Sequence, residues 1–116
     1  MSTVQPGTAP LEAYQGATWE VDMTYRDSAG TIVDLSGYSA QMQVRTRQAS
    51  TTVELTLSTA NGRITLGSTS PNITLAVAAT DMTLAGTYVY DLKLTQGSDV
   101  TVLLQGDLTV APAVTR

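Results

Sequence analysis

Residues 81–95 read Asp81-Met82-Thr83-Leu84-Ala85-Gly86-Thr87-Tyr88-Val89-Tyr90-Asp91-Leu92-Lys93-Leu94-Thr95. From Thr87 onward, Tyr88, Tyr90, Leu92 and Leu94 fall on one side of an extended chain, and Val89, Asp91 and Lys93 fall on the other. That period of two belongs to a strand with one buried and one solvated face. Just upstream the alternation fails. Between Ala78 and Leu84 the apolar residues have mixed spacing and Thr80 is placed to cap a helical turn, which predicts a short connecting helix before Gly86.

The same alternation recurs along the chain in both directions. Trp19, Val21, Met23 and Tyr25 oppose Thr18, Glu20, Asp22 and Thr24, and the turn 26–30 leads to a further extended piece at Thr31–Val33, read as a hairpin. Tyr38, Ala40, Met42 and Val44 alternate with Ser39, Gln41, Gln43 and Arg45, and Val53, Leu55 and Leu57 follow as an inward set. Asn61-Gly62 predicts a tight reversal with positive φ at two successive residues. Ile64 and Leu66, then Ile73, Leu75 and Val77 after the loop 68–72, continue the pattern. A last strand runs from Val100 to Val110, with Gly106 as a bulge or close-packing point.

Seven or eight strands at intervals of about 8–12 residues predict an all-β chain folded as an antiparallel β-sandwich with one short connecting helix. The stretch 81–90 resembles the corner before the sixth strand of immunoglobulin-like domains. Tyr88 stands where the corner tyrosine sits, and Tyr90 stands where antibody domains carry their second cysteine. The expected organisation is a flexible N-terminal arm at 1–10, the immunoglobulin-like sandwich at 11–110 and a C-terminal tail at 111–116.

Composition narrows function by exclusion. The 116 residues contain no histidine, cysteine or phenylalanine. Imidazole acid–base catalysis, thiol nucleophiles, disulfides and Cys/His zinc sites are therefore unavailable. Ten acidic against six basic residues give a net charge of −4, which opposes attraction to nucleic acid or to anionic lipid. No Walker or Gly-x-Gly-x-x-Gly pattern occurs, and neither Asp27 nor Asp99 is joined in its turn by the further acids that calcium needs. No catalytic residue, cofactor or metal is expected. Glu20 and Asp22 share one strand face but read as solvated charges. The aromatics Tyr14, Trp19, Tyr25, Tyr38, Tyr88 and Tyr90 read as core filling in a chain without phenylalanine rather than as a sugar platform.

One candidate interface remains. Gln41, Gln43, Arg45 and Arg47 form a row on an outward strand face and hold two of the six basic residues. Charged residues are only 14% of the chain, below the usual quarter, which suits a surface that lives in an assembly. The N-terminus shows no basic segment followed by an apolar run, so no secretory signal is expected, and synthesis in a cytosol is.

Several stretches in order resemble a known family: Gly16-Ala17-Thr18-Trp19; Asp34-Leu35-Ser36-Gly37-Tyr38-Ser39-Ala40 with Met42-Gln43-Val44-Arg45; Thr59-Ala60-Asn61-Gly62-Arg63-Ile64; and Ala85-Gly86-Thr87-Tyr88-Val89-Tyr90-Asp91-Leu92. Over roughly residues 10 to 110 the chain resembles the immunoglobulin-like N-terminal domain of tailed-bacteriophage baseplate upper proteins. The resemblance implies a non-enzymatic virion protein present in many copies, made in the host cytoplasm. Its partners would be other virion proteins of the tail, the baseplate or, as a decoration protein, the capsid. The sequence carries no receptor-binding part after the sandwich, so a stand-alone structural protein is expected. The other reading is a free carbohydrate- or cell-surface-binding module.

Overall fold

A computed structural model describes residues 7–69 and 71–114. Among the described residues nine strands make two sheets: β1 Gly7–Thr8, β2 Leu11–Tyr14, β3 Trp19–Met23, β4 Ser39–Arg45, β5 Leu55–Ser58, β6 Ile64–Leu66, β7 Ile73–Val77, β8 Gly86–Gln96 and β9 Asp99–Ala111. In the larger sheet the order is β1-β9-β8-β4-β5 with β2 also on β9, and in the smaller it is β3-β7-β6. β1 and β2 lie end to end in one register, Gly7 opposite Leu104 and Leu11 opposite Leu108. Taken as one interrupted strand they leave five strand positions facing three. Alternate residues of both sheets meet between them: Met42, Val44, Leu57, Leu92 and Leu108 from one, Ile64, Ile73, Leu75 and Val77 from the other.

The tyrosine corner forms. The Tyr88 hydroxyl accepts from the Ala85 N–H at 3.2 Å and donates to the Ala85 carbonyl at 3.0 Å. Together with the distribution of strands, this makes the chain an immunoglobulin-like β-sandwich.

Several local expectations are corrected. The short connecting helix expected within 78–84 is present, as a three-residue 3-10 helix at Ala79–Asp81; what differs is its capping. Its cap position is Ala78, with no side-chain cap bond, and Thr80 lies inside the turn. The helix stops at Met82, whose backbone (φ −86°, ψ 75°) leaves the helical region, and Met82 and Leu84 are both buried. The hairpin at 26–33 is present but short: one antiparallel bridge, Arg26 to Ile32, is flanked by Asp27 N–H to the Thr31 carbonyl and Val33 N–H to the Tyr25 carbonyl, and Asp27 Oδ1 accepts from Ala29 and Thr31 N–H within the turn. The reversal at Asn61-Gly62 is present, but only Gly62 has positive φ. It carries the chain from one sheet to the other rather than closing a hairpin. Val53 lies before β5 and is half-buried.

Two departures matter for the surface. The sandwich is not wholly antiparallel, because β1 and β2 pair parallel with β9. The sheet thereby takes in Gly7–Thr8 and Ala111, beyond the boundaries expected at 11 and 110. Residues 1–6 of the expected arm and 115–116 of the expected tail lie outside the described residues. The bulge in β9 falls not at Gly106 but at Leu103, where pairing passes from Leu92/Leu104 to Lys93/Val102.

Gly106 serves close approach instead. A Cβ there would lie 2.6 Å from the Ala9 carbonyl oxygen. That oxygen accepts a 2.6 Å hydrogen bond from the Tyr90 hydroxyl. Burial raises the Tyr90 phenol above its ordinary value of 10.0, and burial also raises Tyr25, helped by Tyr38 and Asp27. A phenol whose pKa is higher folded than unfolded favours the fold fully below the unfolded value. Its contribution is lost as pH rises through the folded value. Tyr90→Phe should therefore show less loss of stability above about pH 10 than the parent. Its near-ultraviolet titration should lack one late-ionising tyrosine, and loss instead of one that ionises in the ordinary range would place Tyr90 in water.

Candidate interaction face

The outward side of the larger sheet carries the residues that the β4 alternation pointed to, and register shows what surrounds them. Gln43 lies opposite Asp91, which lies opposite Gln105, which lies opposite Thr8. One pair along, Arg45 faces Val89 and Val89 faces Asp107; on the other side, Gln41 faces Lys93. An open depression of about 650 Å³ spans this face, lined by Gln43, Arg45, Gln48, Asp91, Lys93, Gln105 and Asp107 among others.

Arg45 is pre-oriented. Its guanidinium donates to the Ser50 carbonyl at 2.6 Å and to Gln43 Oε1 at 2.9 Å, which holds the long side chain along the sheet. The four charges of the depression, Arg45, Lys93, Asp91 and Asp107, are balanced in sign. None joins an ion pair among the described residues, where the salt bridge found is Arg63 to Asp81 at 3.2 Å. Unpaired charges of both signs on a broad sheet face are suited to steering and registering another protein surface.

Of the four residues predicted from sequence, Gln43 and Arg45 line the depression. Gln41 stands on the same face beyond its rim. Arg47 does not belong to the row: β4 ends at Arg45, and the chain turns away with the Ser50 N–H bonded to the Arg47 carbonyl. Asp91 and Lys93 had been placed on an outward strand face, but not beside Gln43. Gln105 and Asp107 join them through the β8–β9 hairpin, and Thr8 through parallel pairing with β9 from the far end of the chain, which no local pattern reports.

The aromatics are divided. Trp19, Tyr88 and Tyr90 are buried, Tyr25 and Tyr38 are half-buried, and Tyr14 is exposed. Among the described residues no three acidic side chains gather where they could hold one metal ion. Neither a scan against protein-family models nor a search of curated proteins finds a match to the chain.

Proposed function

We propose that the chain is a non-enzymatic structural protein of a tailed-phage particle, an attachment module of the tail or baseplate that acts through protein–protein contact. The observation that carries this reading is the charge-balanced polar face built from β4, β8, β9 and Thr8, with its pre-oriented Arg45 and unpaired Lys93, Asp91 and Asp107. Such a face can register against a neighbouring subunit without a deep ligand pocket. The low share of charged residues and the ordered resemblance to baseplate domains support the same conclusion.

Electron cryo-microscopy of purified particles tests it. Density that fits this sandwich at the tail, with the face of Gln43 and Arg45 against a neighbour, is the expected result. Density on the capsid lattice would make it a decoration protein, and absence from every particle would overturn the virion reading. Asp91→Lys with Asp107→Lys should leave the fold intact and lower incorporation, because both side chains are exposed or half-exposed on the face.

A further inference from the structure

Each sheet edge has a different availability for a further strand. On β2 the backbone groups that point away from β9 belong to Pro10, Glu12 and Tyr14. Pro10 has no N–H, the Glu12 carbonyl accepts from the Trp19 indole at 3.0 Å, and the Tyr14 carbonyl accepts from Ala17 N–H at 3.2 Å. On β5 the Thr56 carbonyl is taken by Asn61 Nδ2 and Arg63 Nη1, and the Ser58 N–H is taken by Asn61 Oδ1. These two edges are blunted by the chain's own groups.

Among the described residues the edge of β3 is not. Ala76 N–H bonds the Arg63 carbonyl, so the even residues of β7 bond toward β6 and the odd ones toward β3. Trp19, Val21 and Met23 therefore bond to β7, while the backbone N–H and C=O of Glu20 and Asp22 point out of the sheet. β6 is open as well but only three residues long. Beside β3 the Trp19–Glu12 bond closes one end of the gap between the sheets. At the other end lies an apolar cleft of about 290 Å³, walled by Met23, Tyr25 and Ile73 against Ala9, Leu103 and Leu104. The Leu103 bulge puts two successive leucines there.

We propose that the β3 edge with this cleft is an acceptor for an extended segment of a partner protein, one in which basic and apolar residues alternate. Added as a fourth strand, such a segment pairs its backbone with Glu20 and Asp22. Its basic side chains stand beside the exposed carboxylates of those residues, and its apolar ones turn inward toward the cleft. Charge complementarity selects the occupant: the two residues whose backbone is open are both acidic. The inference concerns a different surface from the polar sheet face and holds whichever particle the chain belongs to.

The test is titration of the full chain with a synthetic peptide of alternating lysine and valine, followed by amide NMR. Saturable shifts confined to residues 19–25 and 103–104 are expected. Glu20→Lys with Asp22→Lys should bind this peptide about tenfold more weakly and prefer a glutamate–valine peptide, since opposite pairs become like pairs. Both positions are exposed, so the variant should fold, and its unchanged amide spectrum elsewhere checks that it does. No saturable shift, shifts elsewhere, or equal binding of both peptides would overturn the proposal. So would concentration-dependent pairing of the chain with itself through these amides, or peptide affinity that appears only after deletion of residues 1–6. The first would assign the edge to a second copy, and the second to the chain's own N-terminal segment.

Discussion

Trp19→Ala is expected to lower unfolding free energy by about 3–5 kcal/mol, the range for a buried large aromatic truncated to a methyl group. Trp19 is 6% exposed and belongs to the core between the sheets. Its indole N–H also holds the Glu12 carbonyl, so truncation leaves a hole and frees a backbone acceptor on the β2 edge. Trp19→Phe keeps most of the bulk and loses the bond, and about 1–2 kcal/mol is expected for it. Urea unfolding of both variants makes the measurement. A loss below about 1 kcal/mol for Trp19→Ala would mean that the side of the sandwich is not closed by this residue.

The second large effect comes from Asn72, a buried polar residue at 1% exposure. Its side chain acts as a piece of strand. Oδ1 accepts the Tyr25 N–H at 2.7 Å, and Nδ2 donates to the carbonyls of Tyr25 at 3.0 Å and Val33 at 2.8 Å. Its own carbonyl accepts from Gly67 N–H at 3.0 Å. One amide thus ties the turn 25–33 to the start of β7, where no ladder exists to do so. Asn72→Leu, close in size, should cost about 2–4 kcal/mol because the Tyr25 N–H and the Val33 carbonyl lose their partners in a partly buried place, while the Tyr25 carbonyl keeps only its bond from Val33 N–H. The same variant should loosen Tyr25 and widen the cleft beside β3, seen as faster amide exchange at Tyr25 and Val33. A cost under about 1 kcal/mol with unchanged exchange would show that water replaces the bonds.

Asn72 also marks a limit of sequence reading. Following Pro71 and preceding an apolar alternation, it reads as the last residue of a loop. Its burial depends on Tyr25 and Val33, 47 and 39 residues away. Tyr88 is the contrasting case. Its partner is Ala85, three residues upstream, and the local spacing already named the corner that the structure contains. The row Gln41, Gln43 and Arg45 was legible for the same reason, since alternation within one strand places them together. Arg47 was misplaced because alternation does not show where a strand ends.

Strand periodicity, most of the inward residues, the places of the turns and the two-layer β architecture were determined by the sequence itself. Side-chain direction in an extended chain depends only on parity, and apolar burial selects the parity. Tertiary structure alone decided that β1 and β2 run parallel to β9, that Arg45 shares a depression with Asp91 and Asp107, that Asn72 is buried, and that among the described residues β3 is left open beside an apolar cleft. The physical reason is that pairing partners and edges are properties of strands brought together from distant parts of the chain. Their hydrogen bonds are made by a backbone that is nearly the same at every residue, and so leave little mark in the side chains.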